Sequence, residues 1–83
     1  MTIILPVNKK IISKIKKFGL EKKWCKQQEL FKNNPRHPSL HLELLEPKVM
    51  GIYSLRLDRK FRALLFFRNQ KIVEILNITV HYH

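Results

Sequence analysis

Arg56, Arg62 and His81 are the side chains of this sequence best suited to chemistry on a phosphate. A guanidinium offers paired N–H donors in a planar fork that matches two non-bridging phosphate oxygens. An imidazole, with an intrinsic pKa of about 6.5, exchanges protons near neutral pH. These residues matter only if the chain brings them to one place, so the question passes to the elements that carry them.

All three lie in Gly51–His83, which contains three runs rich in Ile, Leu, Val, Phe and Tyr, cut at Asp58–Lys60 and at Asn69–Gln70. That pattern reads as an antiparallel meander. A three-residue first loop sets Arg56 opposite Arg62. A two-residue second loop sets Arg68 opposite Lys71, Phe66 opposite Val73, Leu64 opposite Ile75 and Arg62 opposite Asn77. Alternation then sorts the side chains by face. One face carries Tyr53, Leu55, Leu57, Phe61, Ala63, Leu65, Phe67, Ile72, Leu76, Ile78 and Val80, interrupted by Glu74, and needs a cover. The other face is split. Its polar end holds Ser54, Arg56, Arg62, Asn77, Thr79 and His81, a setting for a phosphate. Its apolar end holds Leu64, Phe66, Val73 and Ile75, a docking surface.

The 83 residues imply one small domain, 1–83, with little core to spare. Seventeen Lys and Arg against six Asp and Glu leave a formal net charge of +11, which points to a polyanionic partner: nucleic acid first, then an acidic protein, with a membrane surface as the third option. One cysteine, Cys25, excludes an intramolecular disulfide. No CxxC and no Cys/His pair at zinc spacing occurs, so neither metal nor cofactor is expected. Met1–Pro6 is too short for a signal-peptide core and no apolar run spans a bilayer, so a cytoplasmic protein without membrane contact is expected.

Thr2–Leu5 is a short β-type run ended by Pro6, suited to a sheet edge. Val7, Ile11, Ile12, Ile15 and Phe18 then fall on one helical stripe, with Asn8 as cap and Gly19 as stop. Lys9, Lys10, Lys14, Lys16 and Lys17 cover the rest of that helix. A second helix over Leu20–Asn33 presents Leu20, Trp24, Leu30 and Phe31. The helical hairpin is the natural cover for the sheet, which places Trp24 in the core. The loop Asn33–Ser39 is rich in turn residues, and Leu40–Leu45 alternates as a short strand. His37 and His41 read as surface or capping residues.

Taken in order, the short strand, the basic helical hairpin, NPRHPSL, GIYSLRL, KFRALLFF and the terminal HYH resemble the RelE/ParE superfamily of toxins from bacterial type II toxin–antitoxin systems. The resemblance spans the whole chain. It implies an α+β fold: an N-terminal helical hairpin on a mostly antiparallel sheet of four to five strands. It also implies an acidic antitoxin partner, for which the docking surface Leu64, Phe66, Val73 and Ile75 is suited. For RelE-type members it implies ribosome-dependent cleavage of messenger RNA, with Arg62 on the scissile phosphate and the terminal His81–Tyr82 pair in the active site beside Arg56. Such cleavage uses the ribose 2′-hydroxyl as nucleophile and needs a proton acceptor, a cation for the phosphorane and an acid for the leaving oxygen. Tyr82 donates a proton or stacks on a base. Glu43 and Glu46 lie where some members carry an acidic base, without a firm match; either could instead bridge to Arg56. Lys9, Lys10, Lys14, Lys17, Arg36, Lys48, Arg59 and Lys60 supply sequence-blind phosphate contacts to RNA. Two other readings stay open: a ParE-like DNA gyrase inhibitor without nuclease activity, and a degenerate antitoxin-binding module.

Overall fold

A computed structural model describes residues 2–80. The N-terminal run forms β1 (Ile3–Ile4), followed by α1 (Lys9–Lys17) and α2 (Glu21–Asn33). A 3-10 turn at Pro38–Leu40 leads into β2 (Glu43–Leu44), and a second at Lys48–Met50 leads into β3 (Ile52–Arg56), β4 (Phe61–Phe67) and β5 (Ile72–Val80). The five strands make one sheet in the order β1-β5-β4-β3-β2, with β1 parallel to β5 and every other pair antiparallel.

The helix ends follow their sequence signals. The Asn8 side chain accepts from the Ile11 backbone N–H, which opens α1. Gly19 takes φ +65°, a left-handed position that ends it. Nine residues are too few for a helix stable in water, so α1 depends on burying Ile11 and Ile15. Ile12 and Phe18 of the expected stripe remain substantially exposed. Helix α2 buries Trp24, Gln27 and Phe31, and with the buried residue that precedes it, Leu20, they make a 4-3-4 spacing along one side. Full burial of a side chain such as Phe31 or Leu20 is worth about 1.5–3 kcal/mol. The helix–sheet interface, rather than helix propensity, therefore holds the hairpin in place.

Strand β3 pairs with β4 in the expected register, Arg56 opposite Arg62. The second hairpin differs. Phe67 pairs with Val73 and Leu65 with Ile75, one residue away from the expected pairing. Asn69 is the cause: its side-chain oxygen accepts from the N–H groups of Lys71 and Ile72, and the Arg68 N–H bonds the Ile72 carbonyl. The loop is thus three residues, not two. Asp58 builds the same turn in the first hairpin, accepting from Lys60 and Phe61.

A one-residue slip exchanges the faces of a strand. Val73 and Ile75 point under the helices, where they are 0% and 6% exposed. They are core residues, so their assignment to an outer docking surface is corrected. Glu74 turns outward, with Arg68 Nε donating to it at 2.8 Å, and the interruption in the inner face disappears. Leu76 is then an extra residue in β5: Leu65 pairs with Ile75 and Leu64 with Asn77. This bulge restores the phase, so Ile78 and Val80 again meet Ala63 and Phe61. Lys14 ties α1 to the bulge, its ammonium donating to the Ile78 carbonyl at 2.9 Å and to Asn77 Oδ1 at 3.1 Å. Lys14, one of the lysines expected to contact RNA, is thus also a structural tie between α1 and β5. Among the described residues no helix is long and apolar enough to cross a membrane.

Candidate functional site

The sheet face turned away from the helices carries Ser54 and Arg56 of β3, Arg62, Leu64 and Phe66 of β4, and Asn77 and Thr79 of β5. The bulge moves Thr79, not Asn77, opposite Arg62. All five described members of the expected polar end still share that face.

Arg62 is only 8% exposed. Its Nη1 donates to Ser54 Oγ at 2.7 Å and to the His41 carbonyl at 3.2 Å. Its nearest described carboxylate is that of Glu43, 4.0 Å away on a well-exposed side chain. Glu43 therefore approaches Arg62, and the expected bridge from Glu43 or Glu46 to Arg56 is not formed. The hydrogen-bond partners of Nη1 are neutral oxygens, and the exposed Glu43 carboxylate at 4.0 Å is a weak, solvent-screened counter-charge. Arg56 sits directly opposite on β3. Like charges facing each other across two strands are unfavourable, and a desolvated cation gains most from an anion brought to it. Two arginines held in this way are the candidate anion site of the fold.

His41 joins them. It ends the Pro38–Leu40 turn in the left-handed region, φ 44° and ψ 49°, one of the few conformations of this kind that a His tolerates. Its N–H bonds the Pro38 carbonyl and its own carbonyl takes Arg62. Its Nε2 lies 3.3 Å from Arg56 Nη1. A guanidinium only donates, so this contact makes Nε2 the acceptor and puts the proton of a neutral ring on Nδ1. The sequence reading of His41 as a surface or capping residue holds, since it is exposed and caps the end of the turn, but its contact with Arg56 was not foreseen. The usable signal was its place between a Pro-initiated turn and a short edge strand. His37, by contrast, caps that turn as expected, its Nδ1 accepting from the Ser39 N–H.

Gln27 was also missed. It is buried on α2, and its Nε2 donates to the Arg56 carbonyl at 2.7 Å and the Ser39 carbonyl at 3.2 Å. One amide thus ties the helix to the end of β3 and to the turn that carries His41. Its position in the 20/24/27/31 series was the available signal.

Two cavities flank His41. One, of about 630 Å³, is lined by Tyr53 and Phe67, packed edge to face with ring centroids 5.2 Å apart, and by Arg36 and His37. The other, of about 420 Å³, is lined by Lys23, Lys26, Arg56 and Arg59, with Asp58 as its carboxylate. Burial raises the Asp58 pKa, but the hydrogen bonds from Lys23 and from the N–H groups of Phe61 and Lys60 outweigh it, and the net shift is downward.

Lys9, Lys10, Lys17, Arg36, Lys48, Arg59 and Lys60 are exposed, and only Arg59 lines the cleft beside the arginine pair. His81 and Tyr82 lie outside the described residues. No group of three or more potential metal ligands occurs among the described residues.

The architecture has close counterparts among solved structures. A YoeB–YefM toxin–antitoxin heterotetramer from Staphylococcus aureus aligns with 99% of this chain and 99% of its own, at TM-score 0.71 and 18% identity. The chain has the RelE/ParE toxin fold. A YoeB/ParE toxin from Agrobacterium tumefaciens matches 99% of this chain over 100% of its own, at TM-score 0.70 and 14% identity. A copper-bound mutant toxin from Helicobacter pylori matches 98% over 96%, at 0.73 and 13%. No family model and no curated protein matches the sequence.

Proposed function

We propose that this RelE/ParE-like chain is the toxin of a type II toxin–antitoxin pair and cleaves messenger RNA on the ribosome without a metal. The observation that carries this reading is the facing pair Arg56 and Arg62 with His41 between them, on the face left open by the helices. A scissile phosphate seated on the two guanidiniums draws Arg56 from His41 and frees Nε2. That nitrogen takes the 2′-hydroxyl proton, and O2′ attacks phosphorus. The O5′ bond breaks to leave a 2′,3′-cyclic phosphate. Arg62 stabilises the charge that builds on the phosphorane oxygens. His81 and Tyr82 supply the proton to the leaving oxygen.

The net charge of +11 suits a polyanionic substrate and an acidic antitoxin alike. The solved YoeB–YefM complexes support an antitoxin partner for a chain of this fold. We place the antitoxin on Leu64 and Phe66, which remain on the outer face beside Ile52. Cytoplasmic action follows from the ribosomal substrate.

Cell-free translation with primer extension tests the reading. Codon-phased breaks in translated mRNA support it. Intact mRNA with blocked gyrase supercoiling assigns the gyrase reading, and neither effect leaves a binding module.

A further inference from the structure

We propose that the cleft between α2 and the Asp58–Lys60 loop is a second phosphate subsite, which holds the RNA backbone one nucleotide away from the scissile phosphate through Lys26 and Arg59. The inference rests on the nuclease reading and extends it.

Arg56 and His41 belong to both places: they bracket Arg62 and they line the cleft. The anion site and the cleft are therefore continuous. Within the cleft the charge is one-sided. Asp58 is its carboxylate, and Asp58 is already engaged by Lys23 at 2.7 Å and by two backbone N–H groups. Lys26, Arg56 and Arg59 form no ion pair with any described carboxylate. Its volume of about 420 Å³ lies within the range of small-ligand pockets. The wall is firm where it meets the catalytic group, because buried Gln27 pins α2 to the Arg56 and Ser39 carbonyls. A strand that leaves the arginine pair along this side meets exposed cations without carboxylate partners among the described residues. An acidic peptide meets the same cations, but nothing ties its side-chain charges to Arg62, whereas a phosphodiester carries a charge on every nucleotide along a continuous track from Arg62 past Arg56 into the cleft.

The test is fluorescence anisotropy of a labelled 2′-O-methyl hexanucleotide, which cannot be cleaved, across a salt series. Lys26→Ala/Arg59→Ala is compared with wild type and with Arg62→Ala. Each phosphate contact contributes about 0.7 to the log–log salt slope for a single strand. The double variant is expected to lower that slope by about 0.7, the share of one phosphate, to weaken binding about tenfold or more, and to keep the wild-type circular dichroism spectrum. An unchanged slope in the double variant, with binding lost in Arg62→Ala, overturns the subsite alone. Absence of hexanucleotide binding by wild type overturns the subsite alone, because the nuclease reading places cleavage on the ribosome and stands or falls by the primer-extension result. Loss of binding to an acidic peptide with RNA binding intact assigns the cleft to a protein partner and also overturns the subsite.

Discussion

Arg62 Nη1 and Ser54 Oγ are joined by a 2.7 Å hydrogen bond buried between β3 and β4. The hydroxyl holds the guanidinium without neutralising it, so Arg62 is fixed in place and still electropositive. Ser54→Ala removes the acceptor and keeps the strand. It is expected to cost about 1 kcal/mol of stability and to slow RNA cleavage about tenfold by letting Arg62 wander. Thermal melts and single-turnover rates on the same preparation check both.

His41 allows a clean separation of backbone from side chain. Its left-handed conformation costs an L residue about 1–2 kcal/mol and a glycine nothing. His41→Gly is therefore expected to melt no lower than wild type while cleavage falls about 100-fold, the loss typical of a missing proton acceptor. His41→Ala loses activity equally but is less stable. Equal melting of the two variants would remove the backbone argument, and full activity in His41→Gly would remove the imidazole from the mechanism.

The two hairpin turns are interchangeable in their hydrogen bonding, since Asp58 and Asn69 each accept from the N–H groups two and three residues on. Asp58→Asn should keep both bonds and lose only the partly exposed pair with Lys23, a change of less than about 1 kcal/mol. Asp58→Ala loses the turn and about 1–2 kcal/mol. The pH dependence follows from the sign of the shift. A carboxylate held below its model value of 3.8 adds stability above that pH and loses it as the pH falls through the lower folded value. Wild-type melting temperature should therefore drop on acidification below about 3.8, with a shallower drop in Asp58→Asn.

Those same turns explain what was legible in the sequence. The helical hairpin, the edge strand, the first hairpin and the pairing of Arg56 with Arg62 follow from local caps, stripes and loop length. The second register did not, because Asn69–Gln70 reads as a two-residue loop unless Asn69 is compared with Asp58. The lone Glu74 on an otherwise apolar face was the hint of that slip. The bulge at Leu76 has no marker such as Gly, and only the need to bury both Ile75 and Ile78 requires it. The Arg56 contact of His41 and the ties of Gln27 escaped for another reason: they join residues 12 to 29 positions apart.

The corrected faces divide the expected docking surface into two testable halves. Phe66→Asp lies on the outer face, 37% exposed, and should leave the fold intact while abolishing antitoxin binding in a pull-down. Val73→Asp puts a charge at a fully buried site and should prevent folding outright. Antitoxin binding by Phe66→Asp at wild-type affinity would move the partner elsewhere.

The central claim is that Arg62, set against Arg56 and His41, stabilises the phosphorane during cleavage. Single-turnover cleavage of mRNA in the A site of a stalled ribosome, with wild type beside folded Arg62→Ala, measures it most directly. The predicted result is a rate about 10²- to 10³-fold lower in the variant, with ribosome binding weakened far less. Equal cleavage rates would contradict the account and place the chemistry away from this cluster.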